Sequence, residues 1–129
     1  MSEKICYKSK KGPAALGPYS SAVIHDGLIW VSGVIGVVPA TGKPAEGGTL
    51  GQAAQIFKNI ETILGELDAG MDDVLKTTIF LTNMGDFGEV NKLYAEAFGP
   101  NYPARSCVEV SKLPGGYLIE IECVARAAR

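Results

Sequence analysis

Apolar residues gather in short runs near both ends of the chain and at helical spacing in its middle. Residues 19–25 and 28–38 are rich in β-branched and aromatic side chains, and Asp26-Gly27 joins the two runs. Asp-Gly between two such runs favours a tight β-hairpin. The run from residue 28 is almost continuously apolar, which is typical of a strand covered on both faces. The pattern therefore predicts a hairpin with one buried strand in the first third of the chain.

Two stretches carry apolar side chains at the three- and four-residue spacing of a helix with one buried face. The first helix is predicted to begin at Thr49, which forms a capping-box pattern with Gln52, and to end just before a C-cap at Gly70. The second is predicted to begin at Asp86 and to end at Gly99-Pro100, because proline directly after glycine does not continue a helix.

Further strands are predicted over residues 74–82, 104–110 and 118–125, with a turn at residues 113–116. No linker, repeat or low-complexity run divides the chain, so residues 1–129 are expected to form a single domain. Strands at each end, with two helices separated by one strand, predict an α+β fold. In this fold both helices pack on one face of a mixed β-sheet.

The last two predicted strands carry the clearest candidate chemistry. If their apolar faces, with Val108 on one of them, pack on the helices, five polar residues project together from the bare face of the sheet. These five are Arg105, Cys107, Glu109, Glu120 and Glu122. One interpretation is a cross-strand salt-bridge ladder on a solvated face, which needs no function. In the other, Arg105 binds a carboxylate with its rigid guanidinium fork, and a nearby glutamate orients or deprotonates a water.

Composition and charge narrow the classes of function. The formal charge of −2 and the pI near 5.4 do not favour a nucleic-acid-binding surface. No apolar run is long enough to cross a bilayer and the start of the chain is polar, so a cytoplasmic location is expected. The three cysteines are widely spaced and the single histidine, His25, adjoins the Asp26-Gly27 turn. This inventory predicts no disulfide framework, metal site or histidine-activated nucleophile.

Several segments, in order along nearly the whole chain, resemble signature sequences of the RidA (YjgF) family. They are residues 17–20 (GPYS), 31–33 (VSG), 76–81 (KTTIFL), 86–87 (DF) with 90–91 (VN), 103–110 (PARSCVEV), 113–114 (LP) and 119–122 (IEIE). The resemblance implies a chorismate-mutase-like α+β fold, assembled as a homotrimer with clefts between subunits.

The resemblance also implies roles for individual residues. Arg105 corresponds to the arginine that holds the substrate carboxylate, and Glu120 to the acid that positions the attacking water. The residues implied to line the pocket are Tyr19, Ser32, Asn91 and, through its backbone, Cys107. Without the resemblance, the first three are ordinary structural residues: a core aromatic, a strand filler and a helix-surface amide. Val34 stands where many members of the family carry glutamine, which removes one polar contact from the pocket wall.

The activity implied by the resemblance is that of a 2-iminobutanoate/2-iminopropanoate deaminase. Such an enzyme hydrolyses 2-aminoacrylate-type enamines and imines to 2-oxo acids and ammonia. Its small-molecule partner carries a carboxylate, and no cofactor is expected because the imine carbon is already electrophilic. Two alternatives stay open. One is an L-PSP-type endoribonuclease, although the chain has no basic stripe with interleaved aromatics. The other is a non-enzymatic, ligand-binding or chaperone-like trimer that uses the same clefts.

Overall fold

A computed structural model describes residues 3–127 of the chain. The strands are β1 (Ile5–Tyr7), β2 (Ala22–His25), β3 (Leu28–Ile35), β4 (Val37–Val38), β5 (Lys43–Pro44), β6 (Val74–Leu81), β7 (Ala104–Glu109) and β8 (Ile119–Arg126), and the helices are α1 (Gly48–Glu66) and α2 (Phe87–Phe98). Six strands form one sheet in the order β1-β2-β3-β8-β6-β7, and β4 pairs with β5 separately. Neighbouring strands of the main sheet are antiparallel except for β6 and β7.

Both helices pack on the same face of the sheet, which we call the helix side. The core between them contains buried side chains from α1, α2 and the central strands β3, β6 and β8. The opposite face, which we call the open face, has no helix of the described residues against it. The predicted α+β fold, with a mixed sheet and two helices on one face, is therefore confirmed. None of the helices in residues 3–127 is both long and apolar enough to span a membrane.

The first hairpin forms at the predicted turn. Asp26 and Gly27 both have positive φ values, 48° and 78°, as a two-residue turn of the type favoured between twisted strands requires. The strand before the turn is shorter than predicted and begins at Ala22, so residues 19–21 belong to a loop. Strand β1, which was not predicted, pairs with β2 at the edge of the sheet.

Helix α1 differs from its prediction at both ends. Thr49 and Gln52 do not form a capping box, because both side chains bond to distant parts of the chain. The Thr49 hydroxyl donates to Oδ2 of Asp86 (2.7 Å), and Oε1 of Gln52 accepts from the backbone N–H of Leu118 (2.9 Å). The helix instead begins after Gly47 and ends at Glu66, so Gly70 is not its C-cap. The side chains of Thr49 and Gln52 therefore form tertiary hydrogen bonds instead of the predicted capping box.

The facing of β8 is as predicted, whereas that of β7 is not. Ile121 faces the core, and Glu120 lies on the open face. Strand β7 pairs with β6 in a parallel register that sets Arg105 beside the fully buried Thr77. Arg105, and with it Cys107 and Glu109, therefore lies on the helix side, while Val108 is 44% exposed on the open face. Because β7 is an edge strand, only α2 covers it in part, and its polar residues are tolerated there.

Candidate active site

The candidate residues fall into two clefts. The first, which we call the Tyr19 cleft, has a volume of about 360 Å³. Its walls come mainly from the loop before β2, the second half of β3 and the turn before β8, and the candidate residues Tyr19 and Ser32 line it. Most of the other side chains in these walls are apolar, including Leu16 and Ile35. The cleft therefore offers a largely apolar surface with a few polar groups, as small-molecule sites do.

A β-bulge shapes the floor of the Tyr19 cleft. The register of β3 against β8 shifts between Val31 and Val34, which takes Ser32 and Gly33 out of the regular ladder. The Ser32 hydroxyl donates to the carbonyl of Ser20 (2.6 Å), next to Tyr19 in the chain. Bulges of this kind commonly re-aim side chains at active sites. Here the bulge ties the loop that carries Tyr19 to the strand that carries Gly33.

The carboxyl group of Glu120 lies against the backbone of Gly33. A β-carbon on Gly33 would come within 2.7 Å of the Glu120 carboxyl carbon, so this approach requires glycine. Burial, and secondarily the negative charge of Glu122, raises the pKa of Glu120 above that of an ordinary glutamate. No hydrogen-bond donor within residues 3–127 contacts the carboxylate, and its neighbour Gly33 lines the Tyr19 cleft. A half-buried carboxylate with a raised pKa is suited to general acid-base catalysis.

The second cleft, which we call the Arg105 cleft, lies between α2 and the start of β7 and has a volume of about 430 Å³. Nη1 of Arg105 donates to Oδ1 of Asn91 (2.7 Å), and the guanidinium carbon stands 4.7 Å from the ring centre of Tyr94 and 5.1 Å from that of Phe87. Cation–π contacts of this length hold a guanidinium in place. The remaining N–H groups of Arg105 find no acceptor within residues 3–127.

Contacts with the core hold the side chain of Tyr94 in place. Its hydroxyl shares a 2.7 Å hydrogen bond with Thr77 on β6, and its ring packs on Phe57 and Phe98 in the core. Burial raises the pKa of Tyr94, so the phenol stays neutral beside the arginine. One of the two rings against the Arg105 guanidinium is therefore held by buried contacts, while the hydrogen bond from Arg105 to Asn91 lies at the surface.

Cys107 lies two residues beyond Arg105 on the same side of β7 and packs against the core. Burial raises the pKa of its thiol, and the nearby Arg105 only partly opposes this effect. The thiolate is the reactive form of cysteine, so the side chain is not poised as a nucleophile. Among residues 3–127, all three cysteines are free thiols, and no cluster of potential metal ligands is found.

The chain does not bring Arg105 and Glu120 together, contrary to the expectation that both project from one face. Arg105 and Asn91 line one cleft on the helix side, whereas Glu120 lies beside the Tyr19 cleft on the open face. Each cleft thus holds part of the residue set that the sequence suggested. Arg105 and Glu120, the candidates for binding a carboxylate and for acid-base catalysis, are therefore separated within one chain.

The sequence family described as endoribonuclease L-PSP matches residues 9–127. The chain belongs to this family. It is 44% identical over 115 residues to the 2-iminobutanoate/2-iminopropanoate deaminase of Homo sapiens, covering 89% of this chain and 84% of that protein.

Solved structures agree with this assignment. The Rid-family protein YyfA from Yersinia pestis superposes with a TM-score of 0.93 at 42% identity, over 97% of this chain and 100% of that one. The structure of TdcF from E. coli, described with bound serine, gives a TM-score of 0.88 at 31% identity, over 96% and 99%. The resemblance to the RidA (YjgF) family is therefore confirmed.

Val34 is 5% exposed and contributes an apolar part of the Tyr19 cleft wall. Its register partner on β8 is the buried Ile121, so the residue also belongs to the core. Val34 therefore gives the cleft an apolar surface at this position.

Two aromatic residues that contact the Arg105 guanidinium were not predicted from the sequence. Phe87 and Tyr94 lie in the second predicted helix and were not among the candidate site residues, yet both rings contact the Arg105 guanidinium. A signal was present, because Phe87, Asn91 and Tyr94 are spaced four and three residues apart and so share one face of the helix. This aromatic–amide–aromatic stripe precedes a predicted strand that contains an arginine. The pattern could have indicated the contact between the two rings and the Arg105 guanidinium.

Proposed function

We propose that this protein hydrolyses short-lived 2-imino acids, and the 2-aminoacrylate-type enamines from which they arise, to 2-oxo acids and ammonia. The observation that carries the proposal is the Arg105 guanidinium, held in an open cleft by Asn91 and two aromatic rings. None of the ion pairs within residues 3–127 involves it. A guanidinium in this state is suited to a substrate carboxylate. The 44% identity to a human imine deaminase supports the same chemistry.

In this mechanism Arg105 binds the carboxylate through two parallel hydrogen bonds and so fixes the imine carbon relative to the catalytic groups. Ionised Glu120 accepts a proton from a water molecule while the water oxygen attacks the imine carbon, and the electron pair of the C=N bond moves to nitrogen. Glu120 then passes this proton to the nitrogen, which gives the carbinolamine, and transfer of the hydroxyl proton to the amine allows the C–N bond to break. Ammonia leaves as the carbonyl of the 2-oxo acid forms.

The reaction is tested directly by coupling a purified threonine dehydratase to the protein and following the appearance of 2-oxobutanoate. The expected result is a faster appearance than spontaneous hydrolysis gives, in proportion to the amount of protein added. An unchanged rate at all protein concentrations contradicts the proposal and favours the non-enzymatic, ligand-binding trimer.

The family description keeps ribonuclease activity as a second candidate. The single histidine, His25, stands at the first hairpin with its Nδ1 atom 3.4 Å from Oδ2 of Asp26, and it lines neither cleft. Incubating RNA with the same preparation separates the two activities. RNA cleavage that co-purifies with the protein and disappears in Arg105→Ala would favour the ribonuclease.

We further propose that the two clefts meet between neighbouring subunits of a homotrimer, the assembly that the family resemblance implies. A single chain leaves Arg105 and Glu120 on opposite faces of its sheet. The open face also leaves Trp30 50% exposed close to Lys76 and Val124, and an uncovered apolar surface favours association. Contacts between different surface patches of identical subunits can close into a ring, and a ring of three repeats the composite cleft three times.

Light scattering coupled to gel filtration is expected to give three times the chain mass of 13.6 kDa at micromolar concentration. The physical reason is burial of the apolar part of the open face. Replacing Trp30 with glutamate should shift the protein towards smaller species, because a carboxylate would be buried without a partner. A stable wild-type monomer at micromolar concentration contradicts both the trimer and the shared site.

Mixing two inactive variants tests whether the site is shared between subunits. Arg105→Ala and Glu120→Gln, unfolded together and refolded as mixed trimers, should recover about a quarter of the wild-type activity, because random assembly leaves one interface in four with both residues intact. Each variant refolded alone is the control. If Arg105 and Glu120 of the same chain formed the site, every site in the mixture would lack one of them, and mixing would recover nothing.

A further inference from the structure

The carboxylate of Glu66, the last residue of α1, binds the N-terminal part of the chain. It accepts hydrogen bonds from the hydroxyl of Tyr7 (2.5 Å), the hydroxyl of Ser9 (3.1 Å), and the backbone N–H groups of Lys10 (3.0 Å) and Lys11 (2.8 Å). Four consecutive or near-consecutive residues thus share one acceptor group. We call this arrangement the Glu66 clamp.

The segment that the clamp holds is the loop between β1 and β2. Residues 8–21 form neither helix nor strand, so no regular ladder of backbone hydrogen bonds determines their path, and side-chain contacts contribute to it. At one end the Ser9 hydroxyl accepts from the backbone N–H of Gly12 (2.9 Å), and at the other the Ser21 hydroxyl accepts from the backbone N–H of Ser9 (2.9 Å). The loop is therefore fixed at residues 9–12 and again at residue 21.

The stretch between these two attachments forms a wall of the Tyr19 cleft. Residues 13–16 line the cleft, followed by Tyr19, which is 48% exposed. Leu16 is largely exposed, so packing alone does not hold this stretch in place. Glu66 does not line the cleft itself. It controls the wall only through residues 9–12.

The charge of Glu66 suits this role. Burial alone raises the pKa of the carboxyl group, but the hydrogen bonds from Tyr7, Lys10, Lys11 and Ser9 outweigh burial, and the pKa lies below the ordinary value for glutamate. The group is therefore a carboxylate at neutral pH, when it accepts hydrogen bonds most strongly. A glutamine of the same shape carries no charge, and its amide nitrogen cannot accept a hydrogen bond.

We propose that Glu66 is a positioning residue for the Tyr19 cleft, which holds residues 13–16 in the form that binds substrate without touching the substrate itself. This inference rests on the proposed function. Without the clamp, residues 13–16 would become ordered only when substrate binds, and the free energy of ordering them would lower the affinity for substrate. The chemical step at Arg105 and Glu120 would be unchanged. The conformational entropy lost on fixing the backbone of one residue is equivalent to about a five- to thirtyfold decrease in affinity for substrate.

The experiment compares Glu66→Gln with Glu61→Gln, the same substitution at an exposed position of the same helix. Two measurements are made: the rate of tryptic cleavage at Lys10 and Lys11 in the native protein, and the affinity for 2-oxobutanoate, used as a carboxylate probe. Glu66→Gln is expected to be cleaved faster and to bind the probe about five- to thirtyfold more weakly, with less than a twofold change in the rate at saturating imine. Glu61→Gln should match the wild type in all three.

Ser9→Ala removes one partner of the clamp from the other side and keeps the Glu66 charge, so it should show the same effects to a smaller degree. Faster cleavage with unchanged affinity would make the clamp purely structural and overturn the inference. Unchanged cleavage and affinity in Glu66→Gln would also overturn it, while leaving the proposed function intact. A wild-type protein that neither binds 2-oxobutanoate nor hydrolyses imine contradicts the proposed function, and this inference with it.

Discussion

Replacing Arg105 with alanine is expected to remove most imine hydrolysis and to leave the chain folded. Each hydrogen bond between a charged donor and the substrate carboxylate contributes roughly 1.5–3 kcal/mol, so removing each such bond should lower kcat/KM about ten- to a hundredfold. Folding should survive because Arg105 is exposed on an edge strand and its one hydrogen bond goes to Asn91 at the surface. The coupled dehydratase assay and the melting temperature of the same preparation provide the two measurements.

Two further variants sharpen this test. Arg105→Lys should recover little activity, because an ammonium cannot reproduce the two-pronged grip of a guanidinium on a carboxylate. Arg126→Ala is the matched control: it removes an exposed arginine whose Nε atom lies 2.7 Å from Oδ1 of Asp73, and it should leave hydrolysis unchanged. If Arg105→Ala melts early yet hydrolyses imine at the wild-type rate, the assignment of Arg105 to the substrate is wrong.

The structure also bears on the competing interpretation of a salt-bridge ladder. That ladder requires Arg105 to face carboxylates across neighbouring strands. Instead, Arg105 shares its face with Thr77, and Glu120 and Glu122 project from the other side of the sheet. The ion pairs within residues 3–127 include neither glutamate. A ladder between these residues is therefore excluded within one chain, and the charged groups remain available for a shared site.

The alternation of apolar and polar residues predicted the side of the sheet correctly for a central strand but not for an edge strand. Strand β8 is central, so one of its faces must be apolar along its length, and Ile119, Ile121 and Cys123 identified that face correctly. Strand β7 lies at the edge, where α2 covers only part of it, and Val108 points to the open face instead. Periodicity fixes which residues share a face, but only burial on one side decides which face meets the core.

The helix boundaries show a similar limit. Helix α2 begins after Asp86 and ends at Phe98, before Gly99, as its local sequence predicted. The start of α1 was assigned from Thr49 and Gln52, but those side chains bond to Asp86 and Leu118, which are distant in the chain. Local patterns cannot anticipate a tertiary partner that competes for the same side chain. The Glu66 clamp could not be predicted for the same reason, because its hydrogen bonds join residues that are far apart in the chain.

The division of the candidate site into two clefts was beyond the reach of sequence periodicity as well. The resemblance to the RidA family named the residues, but their distribution between the two clefts follows from the parallel pairing of β6 with β7 and from the bulge in β3. Neither feature has a strong local signal. The bulge in particular makes room for Glu120 only because residue 33 is a glycine.

Glu120→Gln is expected to keep the binding of 2-oxobutanoate and to slow turnover about 10²- to 10⁴-fold, the usual contribution of a general acid-base group. An amide cannot accept the proton of the attacking water, whereas the Arg105 cleft, which we propose as the carboxylate site, is untouched. The variant should also be at least as stable as the wild type at neutral pH. Burial raises the pKa of Glu120, so in the wild type some folding stability is lost as pH rises and the group ionises. Glutamine has no such dependence.

Glu122→Gln is the matched control, two residues further along the same face of β8 and exposed. It should retain turnover but change the pH profile in a defined direction. The proposed mechanism requires ionised Glu120, so kcat/KM should fall as pH drops through its pKa. The raised pKa should place that fall at higher pH than for an ordinary glutamate. Burial is the main cause of the raised pKa and the charge of Glu122 the second, so removing that charge should move the acid limb to lower pH. Glu120 is not the group that accepts the proton if Glu120→Gln turns over imine at nearly the wild-type rate. The same conclusion follows if two pH results occur together: the acid limb of the wild type lies at the pH of an unperturbed glutamate, and Glu122→Gln does not move it.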